Sequence, residues 1–374
     1  MLIRSLLAAA TCVLLLSQSV LASESPLDER QKKRLRSTIM NPNITLQKRV
    51  DALKVLHADE LVDDKIARSF CVWDVMGRSG PVYATVEDQR FRAYHYGLDL
   101  TLKAYQDESA LVKDLRSGAC DAALISGARA MEFNRFTGTI EALGGVPDDD
   151  HLAIMFQLLS SPRLDKRMVE GDYVVLGFST LGENYLYSQT GKALTLKDLA
   201  GKKVGVPSYD KSLLKVAETA NANIDAEELL TVVDRFADKS VDAMLAPIIG
   251  YHFGGSNKMQ DGMGIVNARL SQSTIQLIGR VDRFPEGISQ LLREDFLMKY
   301  ENYKKRLDNE RDNLSKQQWF DVSAADKAKL EEQLTELRIS LSEEGIYDPY
   351  MLKLLKRVRC HVNKERAECH DNRE

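Results

Sequence analysis

Two stretches of this chain are variations on one pattern, and that repetition limits the fold more than any other feature. Leu111–Ser126 reads LVKDLRSGACDAALIS, and Val232–Pro247 reads VVDRFADKSVDAMLAP. Each begins with apolar residues at helical spacing: Leu111, Val112 and Leu115 in the first, Val232, Val233 and Phe236 in the second. Each then breaks and passes through Asp-Ala into a short apolar run of the kind that forms a buried strand. Ser109 stands where it can cap the first helix, and Gly118 where it can close it. One helix–strand unit used twice predicts an α/β protein with two lobes, one around each copy.

The remaining segments fit that frame. Phe70–Val75 is a short apolar run followed by Gly77 and Gly80-Pro81, so it reads as a strand and a loop. Val82–Tyr96 reads as a helix and Leu98–Tyr105 as a second strand. Tyr173–Tyr187 is a long strand entering the second lobe. There, Leu194–Gly201 is a capped short helix, and Lys202–Pro207 is a strand leading to Ser208-Tyr209. Alternating strands and helices predict two mainly parallel sheets with a cleft between them. In such sheets ligands bind beyond the carboxyl ends of the strands. Ser23–Asp64 is a polar, helix-prone preface. From Ile288 onward, Leu291, Leu292, Phe296, Tyr300 and Tyr303 recur at helical spacing. Ser323 then caps a helix bearing Leu330, Leu334, Leu337 and Leu341, and the charge run Lys304–Lys316 reads as a solvated face.

Charge and cysteines bear on partners and compartment. Lys and Arg number 51 against 55 Asp and Glu, so there is no basic excess for a nucleic acid. Met1–Ala22 has Arg4, an apolar stretch Leu6–Leu16 and small residues at Val20-Leu21-Ala22. It reads as a secretory signal peptide cleaved after Ala22, which predicts a periplasmic protein. No other segment is apolar enough to insert in a membrane, so a polytopic pump is excluded. Cleavage removes Cys12 and leaves Cys71, Cys120, Cys360 and Cys369. An even set in an exported protein favours two disulfides, with Cys360 and Cys369 closing a small loop and Cys71 and Cys120 joining two strands. A metal site at the repeated Cys360-His361 and Cys369-His370 is the weaker reading, because neither spacing is a usual zinc pattern.

The order of these segments resembles the extracytoplasmic solute receptors of TRAP-type (DctP-like) transporters, from about Phe70 to Val358. The residues carrying the resemblance are Leu111–Ile125, Tyr173–Phe178, Leu196–Pro207, Val241–Pro247, Ile275–Arg293 and the tail with Gly345-Ile346-Tyr347. More closely, the chain looks like the AdeT-like group of solute-binding proteins. That group is sometimes labelled as efflux-pump components, a label that conflicts with the single N-terminal apolar segment here. The resemblance implies a type 2 periplasmic-binding-protein fold, two α/β lobes with a hinge and a helical C-terminal tail. The expected layout is a signal peptide over 1–22 and a helical extension over 23–66. Lobe one covers 67–174 with a later return, 175–284 is mainly lobe two and crossover strands, and 285–374 is helical. TRAP receptors usually hold a substrate carboxylate with an Arg in the lobe-two strand, by its forked donors. The matching position here is Gly205, and the family's Asn before the later Pro is matched by Ala246. An organic-acid ligand therefore needs a substitute, for which Arg78, Arg129 and Arg135 are the candidates.

The expected ligand-binding residues lie at strand ends. They are Trp73, Asp74, Arg78 and Ser79; Ser126, Arg129 and Arg135; Ser179 and Tyr185 at the hinge; and Ser208, Tyr209, Tyr251 and His252. Asp74 serves equally well as a helix cap, and Trp73 equally well as core. The chain has no G-x-S-x-G, H-E-x-x-H or G-x-x-x-x-G-K-[ST] motif, so no enzyme, cofactor or metal is predicted. The function expected is monomeric capture of a small, possibly anionic ligand for delivery to an inner-membrane permease. A sensory or envelope-interaction protein on the same fold is the alternative, and a periplasmic enzyme the third reading.

Overall fold

The computed structural model of the chain describes residues 27–192, 194–250, 262–312 and 318–374. Two helices come first, α1 (Glu29–Ile39) and α2 (Leu46–Leu56). Asp28 caps α1 reciprocally with Gln31, a capping box that satisfies two free amides at the helix start. Lobe one follows: β1 (Leu61–Val62), β2 (Lys65–Trp73), α3 (Pro81–His95), β3 (Leu98–Tyr105), α4 (Glu108–Ser117) and β4 (Ala122–Ser126). The short helices α5 (Gly127–Ala130) and α6 (Arg135–Gly138) and the longer α7 (Asp149–Leu159) lead to β5 (Val169–Glu170) and β6 (Tyr173–Ser188). Lobe two contains β7 (Lys203–Pro207), α8 (Lys211–Thr219), β8 (Asn223–Glu227), α9 (Leu229–Ala237) and β9 (Ala243–Pro247). The chain returns through β10 (Gly264–Val266) and β11 (Ser271–Arg280). It ends in α10 (Glu286–Asp312), β12 (Trp319–Phe320), α11 (Ala324–Glu343) and α12 (Pro349–Val362).

The repeated unit forms as expected in both lobes, with α4 feeding β4 and α9 feeding β9. Gly118 takes the left-handed conformation at the end of α4 (φ 81°). The N-cap, however, is Asp107 rather than Ser109: its carboxylate accepts the amides of Ser109 and Ala110, and the Ser109 hydroxyl donates to it.

The expectation of two mainly parallel sheets is corrected. The strands form one continuous path, β1-β2-β4-β11-β6-β9-β7-β8. Within each lobe the βα units pair in parallel, β2 with β3 and β4, and β7 with β8 and β9. The two long strands β6 and β11 run antiparallel to each other and to β4 and β9, so they belong to both lobes and weld the halves together. β6 pairs with β11 through Asn184 and, from Asn184 onward, with β9, which makes this pair the hinge.

Both cysteine pairs are joined as disulfides, Cys71–Cys120 and Cys360–Cys369. The first ties the interior of β2 to Cys120, two residues before β4; the second closes the loop after α12. Ser323 caps α11 through the Asp326 amide, and Leu334, Leu337 and Leu341 are buried. The charge run on α10 is not simply solvated. Lys304 pairs with Asp149 at 3.0 Å, and Arg311 reaches the buried Glu183 at 3.6 Å. The tail also crosses the lobes: the Tyr347 hydroxyl donates to Ser212 of α8 and accepts the Leu143 amide. Among the described residues no helix is long and apolar enough to cross a membrane.

Candidate functional site

Where β4 and β7 end, a single guanidinium joins the two lobes. Arg129 of α5 donates through Nε to Glu108 at 2.9 Å and through Nη2 to both oxygens of Glu228 at 2.6 Å. Its guanidinium carbon lies 4.0 Å from the centre of the Tyr209 ring. Glu108 opens α4 in lobe one and also accepts the Ser126 amide, whereas Glu228 stands at the N-cap position of α9 in lobe two without a side-chain capping bond. Burial pushes the Glu108 carboxyl up, and the Arg129 charge opposes that. A guanidinium held by two carboxylates and stacked on an aromatic ring is an interlobe clasp, and its Nε and Nη2 donors are already taken.

Beside the clasp lies a cavity of about 250 Å³ between the lobes. Lobe one contributes Met131, Arg135 and Glu141; lobe two contributes Tyr209, Asp210 and Lys211; Gly345 and Ile346 of the tail close it. Its charges fall into two groups. Glu132 is paired with Arg116, and Glu344 with Lys215. Arg135 gives one guanidinium donor to the Gly345 carbonyl at 3.0 Å. Glu141 is buried with its carboxyl against the Thr274 amide and hydroxyl, and burial together with the Asp210 charge pushes it up to about 8. Asp210 caps α8 through the Ser212 and Leu213 amides, and burial pushes it up to about 6. At neutral pH Glu141 is therefore protonated and Asp210 ionised. Arg135 and Lys211 then exceed the remaining unpaired negative charge by one.

The other expected residues are dispersed. Trp73 is buried in the lobe-one core. Asp74 caps α3, accepting the Val82 and Tyr83 amides from a site that only Gly80 leaves open, since a Cβ there would meet the carboxylate at 1.8 Å. Arg78 and Ser79 are exposed in the turn between them. Ser126 and Ser179 are buried, on adjacent sides of Ile275 in the sheet. Tyr185 is buried edge-on against Trp319, and Ser208 is exposed. Tyr251 and His252 lie outside the described residues. Of the expected residues that the structure describes, Arg129, Arg135 and Tyr209 bring their side chains to the clasp and its cavity, and Ser126 meets the clasp through its amide. Glu108, Glu141, Asp210 and Glu228 were not anticipated, because each is an ordinary carboxylate at a helix end or loop until the fold brings it to the cleft.

Gly205 sits where a side chain has little room. A Cβ at this position would lie 3.0 Å from Val232 Cγ1, with Val241 and Met244 also in contact. The side of β7 that Gly205 presents is packed on α9, not turned to the cleft. Among the described residues no group of three or more His, Cys, Asp or Glu side chains is arranged to hold a metal ion.

Two α/β lobes, a two-stranded hinge and a polar cavity between strand ends define a two-lobed binding protein. Solved structures agree on the fold: a TRAP periplasmic solute-binding protein from Desulfovibrio salexigens with bound orotic acid matches with a TM-score of 0.65. It is 13% identical, and the match covers 80% of this chain and 100% of that one. A counterpart from Haemophilus influenzae with bound L-gulonate matches with a TM-score of 0.61 at 14% identity, covering 78% and 99%. In sequence, the model of the solute-binding protein AdeT 1/2 family matches residues 88–374. The probable solute-binding protein AdeT1 of Acinetobacter baumannii is 32% identical over 80% of this chain and 98% of its own length. AdeT2 of the same organism is 22% identical over 62% of this chain and 98% of its own. The chain belongs to the AdeT 1/2 solute-binding protein family.

Proposed function

We propose that this solute-binding protein is exported to the periplasm by an N-terminal signal peptide cleaved after Ala22. There it holds a small organic acid in the interlobe cavity and presents it to an inner-membrane permease, without chemistry of its own. The observation that carries the reading is the charge inventory of that cavity, where Arg135 and Lys211 have no carboxylate partner among the described residues and a protonated Glu141 lines the same wall. A carboxylate ligand supplies the missing acceptor, and Tyr209 offers a ring face and a hydroxyl. The related fold with bound orotic acid, and that with bound L-gulonate, support the ligand class. Closure of the hinge β6–β11 on the ligand is favoured to the extent that contacts from both lobes are made only in the closed form.

A thermal-shift panel of small mono- and dicarboxylates, including orotate, gulonate and galacturonate, tests this. A ligand that binds only the native state raises the melting temperature. At least one acid should do so, and the shift should vanish in Arg135→Ala/Lys211→Ala. An unchanged shift in the double variant would remove the assignment.

A further inference from the structure

A second and larger cavity, lined mainly by lobe one and also by Ile249 beyond β9, shares no lining residue with the first. It measures about 640 Å³ and lies between the face of β2, β4, β6 and β11 on one side and α2, α3 and α10 on the other. That size is within the range of small-molecule sites, roughly 300–1,000 Å³. It is also long: the α10 residues lining it run from Ile288 to Leu307, which at about 1.5 Å per residue is roughly 28 Å of helix. Most of the wall is apolar, with Val72, Leu124 and Leu277 on the sheet and Val86 and Leu292 on the helices.

The exceptions are informative. Five charged side chains line the cavity: Arg49, Arg92, Glu294, Asp295 and Lys299. Arg49 and Glu294 neutralise each other in a bidentate pair. Asp295 alone serves two cations, Arg92 at 3.3 Å and Lys299. The wall therefore carries one positive charge more than negative, and Lys299 is 8% exposed, a poor place for an ammonium without a full counter-charge. Met298, beside Lys299 and touched by the Arg92 guanidinium, lines the cavity yet is 56% exposed, so this charged end opens to solvent. Deeper in, Ser179 of β6 lines the cavity in register with Ile275 of β11. Its hydroxyl is buried with no hydrogen-bond partner among the described residues. The cavity thus offers donors and one surplus cation, and it needs an acceptor.

We propose that this cavity binds a long-chain carboxylate, its alkyl chain along the sheet face and its head on Lys299 and Arg92. The inference stands independently of the interlobe ligand, because the two cavities are lined by different residues.

The test is isothermal titration of the delipidated full mature protein with dodecanoate, hexadecanoate and hexadecan-1-ol, with native mass spectrometry for stoichiometry. Both acids should bind one to one. Each buried methylene tightens binding about fourfold, so hexadecanoate should outbind dodecanoate by about 200-fold. Lys299→Met should weaken hexadecanoate at least tenfold and leave the alcohol unchanged. Ala93→Trp, which fills the cavity from α3, should abolish both while leaving the thermal shifts given by small acids intact. Arg135→Ala/Lys211→Ala should bind hexadecanoate normally. Failure of either acid to bind the wild type one to one, or undiminished binding by a folded Ala93→Trp, would overturn the site. Equal losses for acid and alcohol in Lys299→Met, or no loss for the acid, would overturn the placement of the head.

Discussion

Glu141→Gln isolates the most unusual ionisation in the cleft. The Glu141 side chain is 4% exposed, its carboxyl is held by the Thr274 amide and hydroxyl, and Asp210 is close enough to add like-charge repulsion. Burial and that repulsion take it from an ordinary 4.5 to about 8. Between those values the folded state keeps a proton that the unfolded chain has released, so stability falls as pH rises through the window and levels off above it. Each pH unit inside the window is worth about 1.36 kcal/mol, so from pH 6.5 to 8.0 this one group removes about 2 kcal/mol. The Asp210 window closes near pH 6 and does not overlap that interval. Glutamine keeps the acceptor for Thr274 and cannot ionise. In urea unfolding followed by circular dichroism, the wild type should lose about 2 kcal/mol relative to Glu141→Gln between pH 6.5 and 8.0. Parallel stability curves for the two proteins would refute the argument that Glu141 is folded in its neutral form.

Other perturbations test other parts of the account. Arg129→Leu leaves Glu108 buried without its counter-charge and unclasps Glu228 from lobe one. It should cost about 3–5 kcal/mol in chemical denaturation. Gly205→Arg drives a side chain into Val232, Val241 and Met244. It should destabilise by at least about 1–3 kcal/mol and give no new acid binding in the thermal-shift panel, whereas a gain in binding would mean that β7 faces the cleft. The two disulfides close loops of very different length, with sequence separations of 49 and 9. Cys71→Ser/Cys120→Ser should therefore lose about 4 kcal/mol, and Cys360→Ser/Cys369→Ser about 2.5 kcal/mol, with the reverse order contradicting the loop-entropy account.

The lobes were legible because their signals are local. Periodicity, Asp-Ala and Gly118 mark the repeated unit without reference to the rest of the chain. Leu98–Tyr105 has the bounds read from the sequence, since its alternation of apolar and polar residues is strict until near its end. β8 was not legible: Asn223–Glu227 is a polar edge strand, defined only by its parallel pairing with β7. The single mixed sheet was hidden for a related reason, since strand direction in β6 and β11 depends on neighbours far along the chain. In the cleft, Arg129 and Tyr209 could be suggested from strand ends. Their partners Glu108 and Glu228 could not, because in sequence each is merely the acidic residue at a helix start. The direction of Gly205 likewise needed α9 in place, and the large cavity needed the stand-off between α3, α10 and the sheet.

The central claim is that a small acid is held between the lobes by Arg135 and Lys211. It is tested most directly by native mass spectrometry of protein recovered from a periplasm without refolding, wild type beside Arg135→Ala/Lys211→Ala. The account predicts one small acidic adduct on the wild type and none on the double variant. An adduct of the same mass and occupancy on both would contradict it.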